Sequence, residues 1–262
     1  MLALVLAFCL GPIGWLAVTS LKADEELGSL PPLLPGSPTF EHYRLVLRSP
    51  AFGRVLLNSL LLAAGVTLVA LTLGAMAAYA LARLRVRGAE ALLLVILAAS
   101  VFPPIATVSP LYLVIRALGL RDTLWALLIT DTGHALPFAI WLLTHFFRQL
   151  PLEVEQAAAV DGCTPAQVLR KVTLPLAAPA LSSTGLLIFI FAWNEFLYAV
   201  TFTTTPASRT VPVAIALFPG IHEVPWGDLA AASLLVTAPL FVLILIFQRR
   251  IVAGLTAGAL RG

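Results

Sequence analysis

Six apolar stretches, each about 20 residues long, punctuate the chain, and that is the length that crosses the hydrocarbon core of a bilayer as an α-helix. No other feature narrows the possible folds as far. The stretches run over about 2–21, 55–81, 89–108, 124–147, 179–201 and 229–247. Composition enters as the check: 60% of the residues are apolar and 11% charged, where a soluble domain carries about a quarter charged residues. A soluble fold of 262 residues has too little interior to hide that surface, so the bilayer is the solvent. A transmembrane β-barrel needs short strands of alternating hydrophobicity rather than long apolar runs. The expected class is all-α integral membrane, a single transmembrane domain over 1–262 with six transmembrane helices.

The first stretch has no basic start and no small-residue cleavage site, so it reads as a retained helix rather than a cleaved signal. Its leader is nearly absent, which leaves an upstream start open. Orientation follows from Lys and Arg in short loops. With both termini inside, the inner segments hold Arg83, Arg85, Arg87, Arg148, Arg170, Lys171, Arg249, Arg250 and Arg261. The outer segments hold Lys22, Arg44, Arg48, Arg54, Arg116, Arg121 and Arg209. Several of those belong to the long first loop, which counts weakly. The expectation is therefore a multi-pass protein with both termini cytoplasmic. A net charge of +3 gives no reason to expect a nucleic-acid partner. Cys9 and Cys163 form no disulfide framework and show no metal-ligand spacing.

The connection at 148–176 has an ordered pattern. Pro151 suits a first helical turn, and Glu153 and Glu155 fall where acids complement the helix dipole. Gln156, Ala157, Ala158 and Ala159 continue the helix, and Gly162 stops it as a C-terminal glycine does. Thr164, Pro165 and Gln167 restart one in the pattern of a capping box. Val168, Leu169 and Val172 follow at helical spacing, and Leu174-Pro175 ends the second helix. The small alanines permit close approach of another surface. From the residues alone, a docking element and a plain connection between two spans both remain open.

This segment resembles the cytoplasmic signature of binding-protein-dependent ABC importer permeases, E-A-A-x-x-x-G-x9-I-x-L-P. Ala157 and Ala158 are its two alanines, and Gly162, Val172, Leu174 and Pro175 fall on its spacing. Gln156 stands where the signature has Glu, with Glu155 one position earlier. FFRQLPLEVEQAAAVDG, FIFAWNEFLYAV, LGAMAAYALARLRVRG and the tail FQRRIVAGLTAGALRG are similar to the carbohydrate branch, in particular the second permease of maltose- and trehalose-type importers. The resemblance implies a type I ABC importer permease fold in a bacterial inner membrane, with a cytoplasmic coupling loop at 148–176 and a cytoplasmic tail at 248–262. It implies that Glu155, Gln156, Ala157, Ala158, Asp161, Gly162, Leu174 and Pro175 couple to an ATPase and that the tail touches the ATPase dimer. The implied partners are a second homologous permease, two ATPase subunits, an extracytoplasmic sugar-binding protein, a sugar substrate and the lipid bilayer. The cargo it suggests is an α-linked disaccharide such as trehalose or maltose.

What the chain lacks is consistent with that division of labour. Its two lysines, Lys22 and Lys171, do not follow glycine, so there is no P-loop. No cofactor is expected in this chain; ATP and Mg belong to the partner ATPase. The histidines His42, His134, His145 and His222 show no ligand spacing, and His222-Glu223 lacks a second histidine. No metal site and no catalytic residue is expected.

Ionisable groups inside a span are costly and mark functional positions. Glu195 lies in AWNEFLYAV of the fifth stretch and Asp131 in LLITDTGHALPF of the fourth. With Trp193, Asn194 and Tyr198 they form the candidate substrate path: aromatics stack on pyranose faces, and amides and carboxylates accept hydroxyl hydrogen bonds. Trp193 and Tyr198 read equally as an interfacial aromatic belt, and Asn194 as a bridge between helices. Pro103, Pro104, Pro110, Pro137 and Pro239, in or beside the spans, permit kinks in a bundle that must rock. The competing reading is an ion-coupled secondary transporter with Asp131 or Glu195 as the ion site. The resemblance of 148–176 to the cytoplasmic signature of importer permeases argues against it, since such a transporter has no ATPase to dock. An intramembrane enzyme would need a nucleophile with its base, or metal ligands, at membrane depth, and none stands out.

Overall fold

The computed structural model describes residues 1–27, 34–84, 86–218 and 225–259, with the backbone alone at 2–3 and 249–259. Among these residues the regular structure is entirely helical. The elements are α1 (Leu2–Ser20), α2 (Asp24–Leu27), α3 (Glu41–Arg48), α4 (Pro50–Arg83), α5 (Ala89–Ser100), α6 (Pro104–Ala117), α7 (Leu124–Gln149), α8 (Leu152–Val160), α9 (Pro165–Val168), a π-helical turn (Leu169–Thr173), α10 (Leu174–Leu176), α11 (Ala178–Trp193), α12 (Leu197–Phe202), α13 (Val211–Ala216) and α14 (Trp226–Ala259).

All six apolar stretches are helical, but they are not six plain rods. α4, α7 and the part of α14 over Trp226–Gln248 are long and apolar enough to cross a membrane. α1 contributes a shorter apolar helix over Leu4–Ser20. The third stretch, expected as one helix over 89–108, breaks at 101–103, and α6 leaves α5 at 89°. Pro103 and Pro104 are the cause: proline removes a backbone donor and pushes the preceding residue out of the α region, and Pro104 then opens α6. The fifth stretch, expected unbroken over 179–201, stops at Trp193 and resumes at Leu197. Leu174-Pro175 does not end its helix as the pattern suggested. The chain winds through the π turn into α10, and the helical run over Pro165–Leu176 then bends by 81° into α11. Pro175 cannot donate to the preceding turn, which frees a carbonyl just where the wider π winding occurs.

The chain forms two compact units, residues 1–59 with 204–242, and residues 60–203 with 243–262. In the first, the Asn58 amide donates to the carbonyls of Ala207 and Arg209, both at 3.0 Å. The Val211 N–H donates to Ser59 Oγ at 2.7 Å. His42 is buried, with Nδ1 2.8 Å from Asp228 Oδ1 and Nε2 2.8 Å from the Lys22 carbonyl. Gly227 lies so close to the ring that a Cβ there would overlap it. Burial opposes charging of this imidazole, but hydrogen bonds to Asp228 and the Lys22 carbonyl, with the charges of Asp228 and Asp24, outweigh it and raise its pKa above the ordinary value. Both ring nitrogens face acceptors, so the imidazolium is the form that satisfies the site.

In the second unit, small residues let the helices approach closely. A Cβ on Gly74 would sit 2.9 Å from Ala139 Cβ, and one on Gly185 would sit 2.9 Å from Leu71 Cδ1. A buried cluster of Ala75, Ala78, Tyr79, Leu143, Phe147, Val168 and Ala177 joins the ends of α4 and α7 to α9 and the start of α11. This cluster is the seat of the 148–176 segment.

Candidate coupling and transport sites

The 148–176 segment folds as its pattern predicts up to Gly162 and Thr164. Gly162 has φ +87°, in the left-handed region. Its N–H donates to the Ala159 carbonyl at 3.1 Å, and the Cys163 N–H reaches back to the Ala158 carbonyl at 3.0 Å. That pair of bonds is a Schellman stop. Thr164 Oγ1 accepts from the Gln167 N–H at 3.4 Å while Gln167 Oε1 accepts from the Thr164 N–H at 2.8 Å, completing the capping box. The unit is therefore two short helices locked at a fixed angle by local bonds.

Its outer face is largely free. Gln156, Ala157, Ala159, Val160, Asp161, Gly162 and Pro175 are exposed, Ala158 and Leu174 half-buried. Val160 is an apolar side chain left 88% exposed at the tip of α8. Small side chains round an apolar tip make a surface that another protein can approach to backbone distance.

Glu155 points the other way. It is 5% exposed, and its Oε2 accepts from Arg83 Nε at 2.9 Å. Its Oε1 accepts from the Thr173 hydroxyl at 3.1 Å. Arg83 Nη2 donates to the Leu150 carbonyl at 3.0 Å. The acid next to Gln156 is thus an internal anchor, not part of the exposed face. Sequence reasoning used Arg83 only as an orientation charge. Its partner is 72 residues away in the chain, and no local spacing joins them.

At membrane depth the candidate residues separate. The break at 194–196 carries Glu195, whose carboxylate oxygens accept from the Tyr198 N–H at 2.7 Å and the Ala199 N–H at 3.0 Å. The residue is half-buried and caps α12, taking up donors that the break would leave bare. Asn194 is exposed and donates to the Ile190 carbonyl at 2.7 Å. Trp193 and Tyr198, expected as sugar platforms, are buried in packing: Trp193 stacks on Phe189 with centroids 5.8 Å apart, and the Tyr198 hydroxyl meets Thr107 Oγ1 at 2.8 Å. Asp131 is fully enclosed; the neighbouring Thr130 hydroxyl donates to the Ala126 and Leu127 carbonyls, and among the described residues neither carboxylate oxygen meets a partner in good hydrogen-bond geometry. Of the five, Asn194 and Glu195 are the ones with an open side.

A cavity of about 290 Å³ lies nearby, lined by Ser100, His134, Ala135, Phe138, Leu187, Ile188 and Phe191. The His134 ring stacks on Phe191 at 5.3 Å. Among the described residues no group of histidines, cysteines and carboxylates could hold a metal ion. The tail side chains over 249–262 and the His222-Glu223 pair lie outside the described residues.

The family described as binding-protein-dependent transport system inner membrane component matches residues 70–256. A trehalose transport system permease protein of Mycobacterium tuberculosis is 45% identical over 261 residues, covering 99% of this chain and 95% of the relative. A trehalose/maltose transport system permease protein of Thermococcus litoralis is 43% identical over 263 residues, covering 99% and 94%. Among solved structures, a chain of a bacterial ABC transporter that imports the acidic polysaccharide alginate superposes with a TM-score of 0.84 at 24% identity, covering 95% of this chain and 92% of that one.

Proposed function

We propose that this chain, which belongs to the family of binding-protein-dependent transport system inner membrane components, is a permease subunit of an ATP-driven sugar importer. The observation that carries the reading is the locked helix–turn–helix of α8 and α9, with its free face of small residues round Val160. The near full-length relatives that handle trehalose and maltose support an α-linked disaccharide as cargo. The chain forms half of the translocation path, and a second, homologous permease forms the other half. Of two ATPase subunits, which hold ATP and Mg, one docks on the α8–α9 face, and an extracytoplasmic binding protein delivers the sugar. Both termini face the cytoplasm, as does the α8–α9 face that meets the ATPase.

In this scheme ATP favours the closed ATPase pair, and the difference in its affinity for the two states drives the switch. The pair draws the α8–α9 unit with it. Because α8 and α9 are locked to each other and seated on the ends of α4 and α7, a displacement at Val160 moves those helices as well. Sugar enters near the broken fifth span, where Asn194 and Glu195 offer an amide and a carboxylate to hydroxyl groups.

Co-purification tests the reading directly. The tagged chain is solubilised in mild detergent, and whatever accompanies it is identified. An ATPase and a second permease should co-purify, and Ala157→Trp should release the ATPase while the two permeases stay together. A chain that purifies alone and moves sugar down an ion gradient would refute it.

A further inference from the structure

We infer that Arg83 is a positioning residue for coupling, the point at which movement of the docking helix α8 enters the transmembrane helix α4. The inference rests on the importer reading above. Arg83 is the last residue of α4, a helix of 34 residues. Its side chain is 10% exposed and that of Glu155 6%. One guanidinium binds two places at once, Glu155 of α8 and the Leu150 carbonyl at the end of α7. Glu155 in turn holds Thr173, fully buried in the π turn that leads to α11. Four elements, the ends of α4 and α7, the first turn of α8 and the π turn, therefore meet at a single charged node.

The rest of the seat is different in kind. It is mostly apolar, built from alanines, Tyr79, Leu143, Phe147 and Val168, and apolar contacts are non-directional and allow sliding. The Arg83–Glu155 contact is directional, because a guanidinium and a carboxylate bond along fixed lines. Buried as it is, the pair resists separation, since parting the charges leaves each one unpaired in a poorly solvated place. Sliding of α8 along the end of α4, to which no short connection ties it, is therefore opposed at this node. Lysine supplies the charge and donors but not the rigid planar fork that fixes the two bonds relative to each other.

The test uses the complete importer, both permeases with ATPase and binding protein, reconstituted in liposomes. Sugar taken up per ATP hydrolysed is measured on complexes of equal ATPase content, together with their melting temperature. Arg83→Met should lower the uptake per ATP about tenfold, within the usual span of coupling changes, and Arg83→Lys should fall between it and the parent. The double variant Arg83→Met with Glu155→Met removes both charges, so it should recover melting temperature but not uptake per ATP. An unchanged ratio in Arg83→Met overturns the inference, as does a ratio that recovers together with melting temperature in the double variant. Failure of the parent chain to bind any ATPase is a separate result and overturns the importer reading instead.

Discussion

Replacing Gly162 with alanine isolates backbone conformation from shape. Nothing lies within 4 Å of a Cβ built there, so the methyl group meets no steric obstacle. The φ of +87° is the whole difficulty, and a left-handed conformation costs an L-residue with a Cβ about 1–2 kcal/mol. The turn is closed by the 3.0 and 3.1 Å backbone bonds from Cys163 and Gly162, each contributing about 1 kcal/mol net. Strain and closure are of the same size, so Gly162→Ala shifts the segment toward an open turn. In the proposed docking the ATPase takes the closed turn, so the closing equilibrium shifts by about five- to thirtyfold and, with about half the segments left closed when the strain is largest, apparent affinity falls by up to about twofold. Gly162→Asn should lose less, because asparagine tolerates the left-handed region better than alanine. The assay is titration of the purified permease pair with its ATPase. If alanine and asparagine both bind like glycine, or asparagine binds more weakly than alanine, backbone strain is not what Gly162 is there to avoid.

Three further outcomes are expected. His42 has a raised pKa, so its contribution to stability is fully present below about pH 6.5, the unfolded value, and is lost as pH rises through the higher folded value; melting temperature should decline over that window, and an equal slope in Asp228→Asn would sink the account. Glu195→Ala bares the Tyr198 and Ala199 N–H groups and should destabilise by about 1–3 kcal/mol, with Glu195→Gln intermediate; a variant of unchanged melting temperature but weakened sugar dependence would make Glu195 a sugar contact rather than a cap. Gly74→Val drives a side chain into Ala139 and should cost about 1–3 kcal/mol through overpacking, while Gly133→Ala, with open space around it, should be neutral or stabilising by thermal melts.

Much of this was legible in the sequence because the signals were local. Apolar length marked the spans, and the Gly162 stop and the Thr164–Gln167 box need residues no more than five apart. The losses have two causes. Hydropathy cannot see a break inside an apolar run: Pro103 and Pro104 gave warning of theirs, whereas Trp193-Asn194-Glu195-Phe196 contains no proline or glycine and breaks because Glu195 can replace the missing helical partners. Long-range pairs leave no spacing to read. Glu155 and Gln156 look equivalent on paper, and only the position of Arg83 decides that one is an anchor and the other faces outward. Trp193 and Tyr198 fit sugar chemistry by residue type, but Phe189 packs on Trp193 from the preceding turn of α11, and Thr107 meets Tyr198 from α6.

The corner at Pro103 and Pro104 has a consequence for the surrounding lipid. α5 has 12 residues, about 18 Å at 1.5 Å per residue, against a hydrocarbon core of about 30 Å. Because α6 turns away at 89°, it adds almost nothing to that height. Leu92, Leu94 and Val95 nonetheless turn bare apolar side chains outward, and wherever this face meets lipid rather than a second permease, the acyl chains beside it meet a wall shorter than themselves. The leaflets must thin or the helix must tilt, at a fraction of a kcal/mol for each ångström of mismatch. Bilayer thickness thereby becomes a variable of this protein's stability alongside temperature and salt, and short-chain lipids are the natural matrix for keeping it folded.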